Sequence, residues 1–176
     1  MIILQTPKNL SKPISLSQLE KHNWMKRLLC KAKLAGEKGE VPIAAIILDN
    51  KGRCIGYGKN RRETMKDPLG HAELVALRQA SWINNDWRFN ACTLIVNLEP
   101  CPMCAGALIQ ARMGKIIYGS QDLKRGALGG TINLAEHKSA HHNMLIERGI
   151  MEEESRKIIV DWFKDKRGLS KKTFII

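Results

Sequence analysis

Two cysteines three positions apart are the residues of this sequence best suited to chemistry. Cys101 and Cys104 have the C-x-x-C spacing with which two thiolates can hold one metal ion at the start of a helix. Pro102 lies between them, and proline is favoured in the first helical turn, where its missing N–H costs nothing. The partial positive charge at a helix N-terminus also favours the thiolate form of both side chains. A third protein ligand would complete the set typical of a catalytic zinc site, whose fourth position is left to water.

His71, earlier in the chain, is the candidate third ligand, and Glu73 follows it closely. Residues i and i+2 of a regular helix point roughly 200° apart, so these two side chains can meet only at a helix mouth. Residues 67–70 are typical of a loop and residues 74–80 of a helix, which places the pair at such a mouth. Both halves of the pattern therefore lie where loops lead into helices, as sites do in α/β folds.

Composition and charge narrow the class of protein. The 176 residues, 44% hydrophobic and 26% charged, are those of one globular domain. Five cysteines, an odd number without a paired spacing pattern, argue against a disulfide scaffold. No apolar stretch approaches the ~20 residues that cross a bilayer, and residues 1–4 are too short for a signal-peptide core. We therefore expect a cytoplasmic protein without a membrane partner.

The formal net charge of +12 is the second strong feature of the chain. A basic surface on a small domain attracts polyanions, because each phosphate that is neutralised adds salt-dependent affinity. The charge therefore favours nucleic acid as the partner over a basic surface that is merely solvated. An anionic free nucleotide is the alternative substrate class.

Apolar runs and turn residues predict an alternating order of helices and strands. The turn sequence at 49–52 pairs the strands on either side of it antiparallel, whereas the β-α-β unit at 93–119 makes its two strands parallel. The sheet is therefore predicted to be mixed. Helices are predicted over residues 17–34, 74–80, 102–112 and 152–166, and strands over 41–48, 53–58, 93–98, 115–119 and 144–150.

Further expectations concern the N-terminal arm, one loop and two individual side chains. Residues 1–16 are expected to form a loosely ordered arm before one domain at residues 17–176. Residues 59–66 are predicted to form a basic loop. Cys30 lies near the apolar stripe of the first helix and is expected to be buried, and Phe163 is expected to pack inward from the last helix.

The two halves of the motif resemble the signature of zinc-dependent nucleobase deaminases, which is H-x-E followed by P-C-x-x-C. Here they are His71-Ala72-Glu73 and Pro100-Cys101-Pro102-Met103-Cys104. Over about residues 24–167 the chain is similar more particularly to the bacterial tRNA-specific adenosine deaminases. The further stretches that carry this similarity are Val41-Pro42-Ile43, Asn60-Arg61, Asp67-Pro68, Ala76-Leu77-Arg78-Gln79, Tyr118-Gly119, Gly126-Ala127 and Gly149-Ile150.

The resemblance implies a fold, a reaction and a partner. The fold would be the three-layer α/β/α cytidine-deaminase-like fold around a five-stranded mixed sheet. The reaction would be hydrolytic deamination of adenosine to inosine at the wobble position of a tRNA anticodon. The anticodon stem-loop of tRNA would be the partner, and a homodimer would bind it.

The expected site has a metal part and a catalytic part. His71, Cys101 and Cys104 would hold one Zn²⁺ per subunit, with water in the open position. Glu73 would not be a ligand; it would carry the proton of the water to the ring nitrogen and later to the departing amine.

The resemblance also assigns substrate-binding residues. Asn60 matches the position that hydrogen-bonds the flipped base, and Ala72 the one that offers a backbone contact. Asp122 and Lys124 fall in the loop that would line the RNA entrance, and His142 matches a histidine beside that loop.

Other functions also account for the motif. A deaminase of a free base or nucleotide, such as guanine, cytidine or deoxycytidylate, would carry the same zinc core. A zinc-stabilised RNA-binding module without catalysis would close the fourth metal position with Cys92 or a late histidine. A thioredoxin-like redox pair at Cys101 and Cys104 is the weakest interpretation, since it gives His71 and Glu73 no task.

Overall fold

The computed structural model describes residues 12–172, which form one mixed β-sheet between two layers of helices. The elements are α1 (Gln18–Glu37), β1 (Ala44–Leu48), β2 (Cys54–Lys59), α2 (Arg62–Met65), α3 (Ala72–Asn84), β3 (Thr93–Leu98), α4 (Pro102–Gln110), β4 (Lys115–Ser120), β5 (Leu145–Arg148) and α5 (Glu152–Lys172). The five strands lie in the order β2-β1-β3-β4-β5. β1 is antiparallel to β2 and β3, and β3, β4 and β5 are mutually parallel. The β1–β2 and β3–β4 orientations are those that the turn and the β-α-β unit predict.

The central strands are buried on both faces, which explains their continuous apolar sequences. Successive side chains of β1 enter two different cores, because side chains alternate across a strand. Ala45 and Ile47 join the core beneath α3 and α4, whereas Ala44, Ile46 and Leu48 join the core beneath α1 and α5. The predicted three-layer α/β/α architecture is therefore confirmed.

The first helix begins where local sequence specifies it. The Ser17 hydroxyl accepts a hydrogen bond from the Glu20 amide, and the Glu20 carboxylate accepts one from the Ser17 amide, which together form a capping box. Met25 and Leu28 then bury the inner face of α1 against the sheet. No helix in residues 12–172 is both long enough and apolar enough to cross a bilayer.

The structure differs from the sequence-based expectations at a few places. The basic loop at 59–66 contains the short helix α2, and α3 continues through Asn84 rather than ending at Ala80. The expected burial of Cys30 is wrong, because its side chain is exposed on α1. The expected inward packing of Phe163 is also wrong, because 44% of its surface is exposed.

The arm expected at residues 1–16 falls mostly outside the described residues. Of its described part, Leu16 is buried and Ile14 packs against the core beneath α1 and α5. The division into an arm and a domain at residues 17–176 stays a prediction.

Two glycines of β2 allow α3 to lie directly against the edge of the sheet. A Cβ atom at Gly58 would overlap the carbonyl oxygen of Ala72, and one at Gly56 would overlap that of Ala76. The close approach fixes the first turn of α3, which contains Glu73 and follows His71. The sequence of the edge strand therefore sets the position of two candidate site residues.

We expect Gly58→Ala to lower the free energy of unfolding by about 1–3 kcal/mol, because the added methyl group has no space unless α3 moves. Urea denaturation of the purified variant measures the change. Gly106→Ala on α4 is the matched control: nothing lies within 4 Å of its new methyl group, and alanine is the better helix former. A Gly58→Ala protein as stable as the wild type would contradict the packing described.

Candidate metal centre and active-site cavity

The candidate ligands project from the mouths of two helices. His71 is the N-cap residue of α3 and Cys101 that of α4, and both have extended backbone conformations. Pro102 is the first residue of α4, and Cys104 is the third. The helix-mouth position of His71 agrees with the expectation from the sequence.

The three side chains come together at distances that suit a metal ion. The His71 Nδ1 atom lies 3.6 Å from the Cys101 Sγ atom and 3.5 Å from the Cys104 Sγ atom. Two ligands at a tetrahedral angle, with Zn–S of about 2.3 Å and Zn–N of about 2.0–2.1 Å, would be about 3.6 Å apart. All three ligand atoms lie within 4.8 Å of one another, and the group could hold a metal ion. The donor set and its spacing therefore fit zinc.

No fourth His, Cys, Asp or Glu ligand atom joins this group within residues 12–172. Cys92 is buried just before β3, at the end of the sheet remote from the group. His142 lies near the start of β4, where its Nε2 atom is 2.8 Å from the carbonyl oxygen of Met113. Neither residue is placed to close the coordination shell.

The electrostatics of the group favour a thiolate at Cys101 but not at Cys104, because hydrogen bonding to Cys101 raises the pKa of the Cys104 thiol. Hydrogen bonding to Cys104 lowers the pKa of the Cys101 thiol to about 4, with a further contribution from His71 and in spite of partial burial. Hydrogen bonding to Cys101 raises the pKa of the His71 imidazole. A deprotonated cysteine is the form that binds a metal.

Glu73 lies beneath the ligand group, in the first turn of α3. Its side chain is buried, and its carboxyl group lies close to the thiol of Cys104. Burial raises the pKa of this carboxyl to about 7. Glu73 is not a member of the metal-ligand group.

An open cavity of about 450 Å³ lies above the metal group, with His71 and Cys101 in its wall. Three cationic side chains also line it: Arg62 from α2, and Lys124 and Arg125 from the loop after β4. All three are exposed, and none of the described residues that line the cavity is acidic. The cavity therefore combines a metal group with a positive rim.

Only some of the expected substrate-binding residues lie at the cavity. Lys124 lines the cavity, and buried Asn60 lies behind it, accepting a hydrogen bond from the Ala72 amide at 3.0 Å. Asp122 does not line the cavity; its carboxylate accepts hydrogen bonds from the amides of Lys124 and Arg125. The structure does not bring His142 to the site.

Two cavity-lining cations escaped the sequence analysis. Arg62 and Arg125 lie in segments without apolar periodicity, so their positions in space could not be deduced from spacing. Glu99, immediately before the metal motif, is a further residue that the sequence analysis left without a role. An acid between an apolar run and Pro100 was the one signal that the sequence offered for it.

Comparisons with known proteins agree with this site. The MafB19-like deaminase family matches residues 19–167, so the chain has the fold of a deaminase. The chain is 38% identical over 148 residues to the tRNA-specific adenosine deaminase of Bacillus subtilis, a match covering 84% of this chain and 91% of that one. The chain belongs to the family of the tRNA-specific adenosine deaminases.

Other relatives define the extent of the similarity. A solved structure from studies of A-to-I editing by tRNA:A34 deaminases is 36% identical, with a TM-score of 0.74, and the match covers 77% of this chain and 98% of that one. The chain is also 44% identical over 117 residues to a tRNA(Ile)-lysidine synthase of Deinococcus radiodurans. That match covers 66% of this chain but only 20% of the longer protein.

Proposed function

We propose that this protein hydrolyses the exocyclic amine of the wobble adenosine in a tRNA anticodon, giving inosine and ammonia. The observation that carries the proposal is the cavity, which has His71 and Cys101 of the metal group in its wall, three cations, and no acid among the described residues that line it. The positive rim suits the phosphates of an RNA strand, whereas a neutral free base would leave it unused. Relatives in the same family are named tRNA-specific adenosine deaminases.

His71, Cys101 and Cys104 would hold one zinc ion per subunit. Bound there, zinc would lower the pKa of a water molecule to about 7 and so supply a nucleophile at neutral pH. Glu73, buried beside Cys104, takes a proton from the water and delivers it to the ring nitrogen of adenine. The oxygen of the water bonds to carbon 6, and Glu73 carries the second proton of that water to the amine, which leaves carbon 6 as ammonia, so that one water molecule is consumed and one ammonia is released.

Asn60 orients the base in this scheme. Its Oδ1 atom already accepts a hydrogen bond from the Ala72 amide, which fixes the side chain. The Nδ2 group is the remaining donor and would bind an acceptor atom of the base. Ala72 contributes by holding Asn60, since its own N–H is engaged within the chain.

The target nucleotide must leave its stack to reach the metal group. Extrusion costs a few kcal/mol and is easiest from a loop that is already single-stranded, such as an anticodon loop. Arg62 stands on one side of the cavity, and Lys124 and Arg125 come from the loop after β4. These cations would bind the phosphates that flank the extruded nucleotide.

Arg125→Ala is expected to raise the KM for an anticodon stem-loop severalfold and to leave kcat within about twofold. The reason is that Arg125 would contact a phosphate of the RNA and not the atoms that react. The slope of log KM against log salt should fall by about 0.7 for each lost contact to single-stranded RNA. Steady-state kinetics at several salt concentrations measures both. Lys26→Ala, an exposed cation on α1, is the control and should change neither. An unchanged salt dependence for Arg125→Ala would contradict the phosphate contact.

The decisive experiment incubates the zinc-loaded protein with an anticodon stem-loop bearing the wobble adenosine, beside free adenosine, cytidine and guanine. Inosine is expected in the RNA alone. Deamination of a free base instead would identify a free-base deaminase. Stoichiometric zinc and RNA binding without any product would identify a binding module.

A homodimer in the cytoplasm completes the proposal. Its support is an exposed apolar surface that includes Trp82 and Ile83 of α3, which are 86% and 56% exposed. Free thiols at the metal group suit a reducing compartment. We expect a dimer in sedimentation analysis, and Trp82→Glu should shift it towards the monomer; a monomeric wild type would contradict it.

A further inference from the structure

Glu99 is a buried carboxylate held entirely by backbone amides of one loop. Glu99 is only 2% exposed and lies between β3 and the metal motif. The Oε1 atom accepts hydrogen bonds from the amides of Leu128 and Gly130, both at 2.8 Å. The Oε2 atom accepts one from the amide of Asp122 at 3.0 Å. No salt bridge to Glu99 occurs in the described part of the chain.

The loop after β4 is packed tightly around this carboxylate. A Cβ atom at Gly126 would overlap the Glu99 carboxyl group, and one at Gly130 would lie 2.5 Å from its Oε2 atom. The amide of Ala127 also donates to the carbonyl oxygen of Pro100, at 3.0 Å. The loop is thus fastened at several points to the segment that leads into Cys101.

The hydrogen bonds continue from Glu99 to the cations of the cavity rim. Asp122, whose amide is bound by Glu99, accepts hydrogen bonds at its Oδ1 atom from the amides of Lys124 and Arg125, at 2.9 and 3.0 Å. Lys124 and Arg125 both line the cavity. One buried carboxylate therefore fixes the backbone from which two rim cations project.

We propose that Glu99 is a positioning residue for substrate binding, which holds Lys124 and Arg125 at the distance from the metal group that an RNA strand requires. This inference rests on the proposed function, since it assigns the two cations to RNA phosphates. The same residue anchors the loop and directly precedes the Pro100-Cys101 segment. It therefore couples the wall that binds the strand to the wall that contains the metal ligands.

Glu99→Gln tests the coupling with the least change in shape. The amide oxygen can still accept from Leu128 and Gly130, but the NH₂ group then faces the N–H of Asp122, and two donors cannot bond to each other. We expect the KM and the Kd for the stem-loop to rise about tenfold, with a smaller change in kcat and one zinc per chain. Fluorescence anisotropy gives the Kd, and metal analysis gives the zinc content.

A double-mutant cycle separates positioning from general stability. If Glu99 acts through Arg125, then Arg125→Ala should weaken stem-loop binding less in the Glu99→Gln background than in the wild type. Asp49→Asn is the control: the buried carboxylate of Asp49 accepts hydrogen bonds from the amides of Lys51 and Arg53 and from the Arg53 side chain, in the β1–β2 turn remote from the cavity. It should destabilise the protein without changing the Kd.

Each outcome decides the inference. An unchanged Kd for Glu99→Gln, strictly additive effects in the cycle, or an equal loss in Asp49→Asn would overturn the positioning role. Stem-loop binding by the wild type without inosine would refute the proposed reaction, and the comparison of Kd values would still decide the role of Glu99. A wild-type protein that does not bind the stem-loop would contradict both.

Discussion

Glu73→Gln is expected to lower kcat by about 10³-fold or more while the protein keeps one zinc per chain. The amide has nearly the shape of the carboxyl group, so the packing beneath Cys104 is preserved. It cannot take up a proton from water and return it to the base, and that transfer is the role assigned to Glu73. The effect should therefore fall on the chemical step rather than on RNA binding.

Single-turnover kinetics on the wobble stem-loop, with metal analysis of the same sample, measures this effect. Glu63→Gln removes an exposed carboxylate from α2 near the cavity and serves as the control, with kcat within about twofold of the wild type. Loss of zinc from Glu73→Gln together with residual activity would remove Glu73 from the role of proton carrier.

Cys104→Ala is expected to weaken zinc binding more than about 100-fold and to reduce activity by at least about 10³-fold. The substitution removes one of the three atoms of the metal-ligand group, and the remaining His71 and Cys101 cannot fix the ion alone. Competition with a chromophoric chelator measures zinc affinity, and the stem-loop assay measures activity.

Cys92→Ala is the control for this prediction, because it makes the same substitution at a buried thiol outside the group. Burial raises the pKa of the Cys92 thiol to about 11, which opposes the thiolate form that a metal would need. The variant should keep its zinc. Zinc loss from Cys92→Ala instead would make Cys92 a fourth ligand and would favour the non-catalytic binding module.

The sequence predicted those elements whose signals are local. The turn at 49–52 and the continuous apolar run before it predicted the β1–β2 hairpin, and the spacing around Pro102 predicted the start of α4. The helix α2 was missed because four residues show no apolar period. It is held instead by Glu40, a distant residue in the chain whose carboxylate accepts hydrogen bonds from the amide and hydroxyl of Thr64.

The same distinction applies to the site. The metal-ligand candidates could be predicted because two of them share one helix mouth and the third has a matching context. The rim cations could not, since the positions of Arg62 and Arg125 depend on how two separate loops meet over the cavity. His142 was chosen by resemblance alone, and it lies instead at the other end of β4. Its assignment to the substrate stays a prediction that the structure does not support.

The order of strands has a consequence for the maturation of the enzyme. The helix that follows His71 comes after β2, whereas Cys101 and Cys104 come after β3, and β1 lies between these two strands in the sheet. Before these three strands have paired, the chain offers a metal ion only the Sγ atoms of Cys101 and Cys104. High-affinity capture therefore requires β2, β1 and β3 to pair, and the rate of metal uptake by a refolding sample would report that pairing.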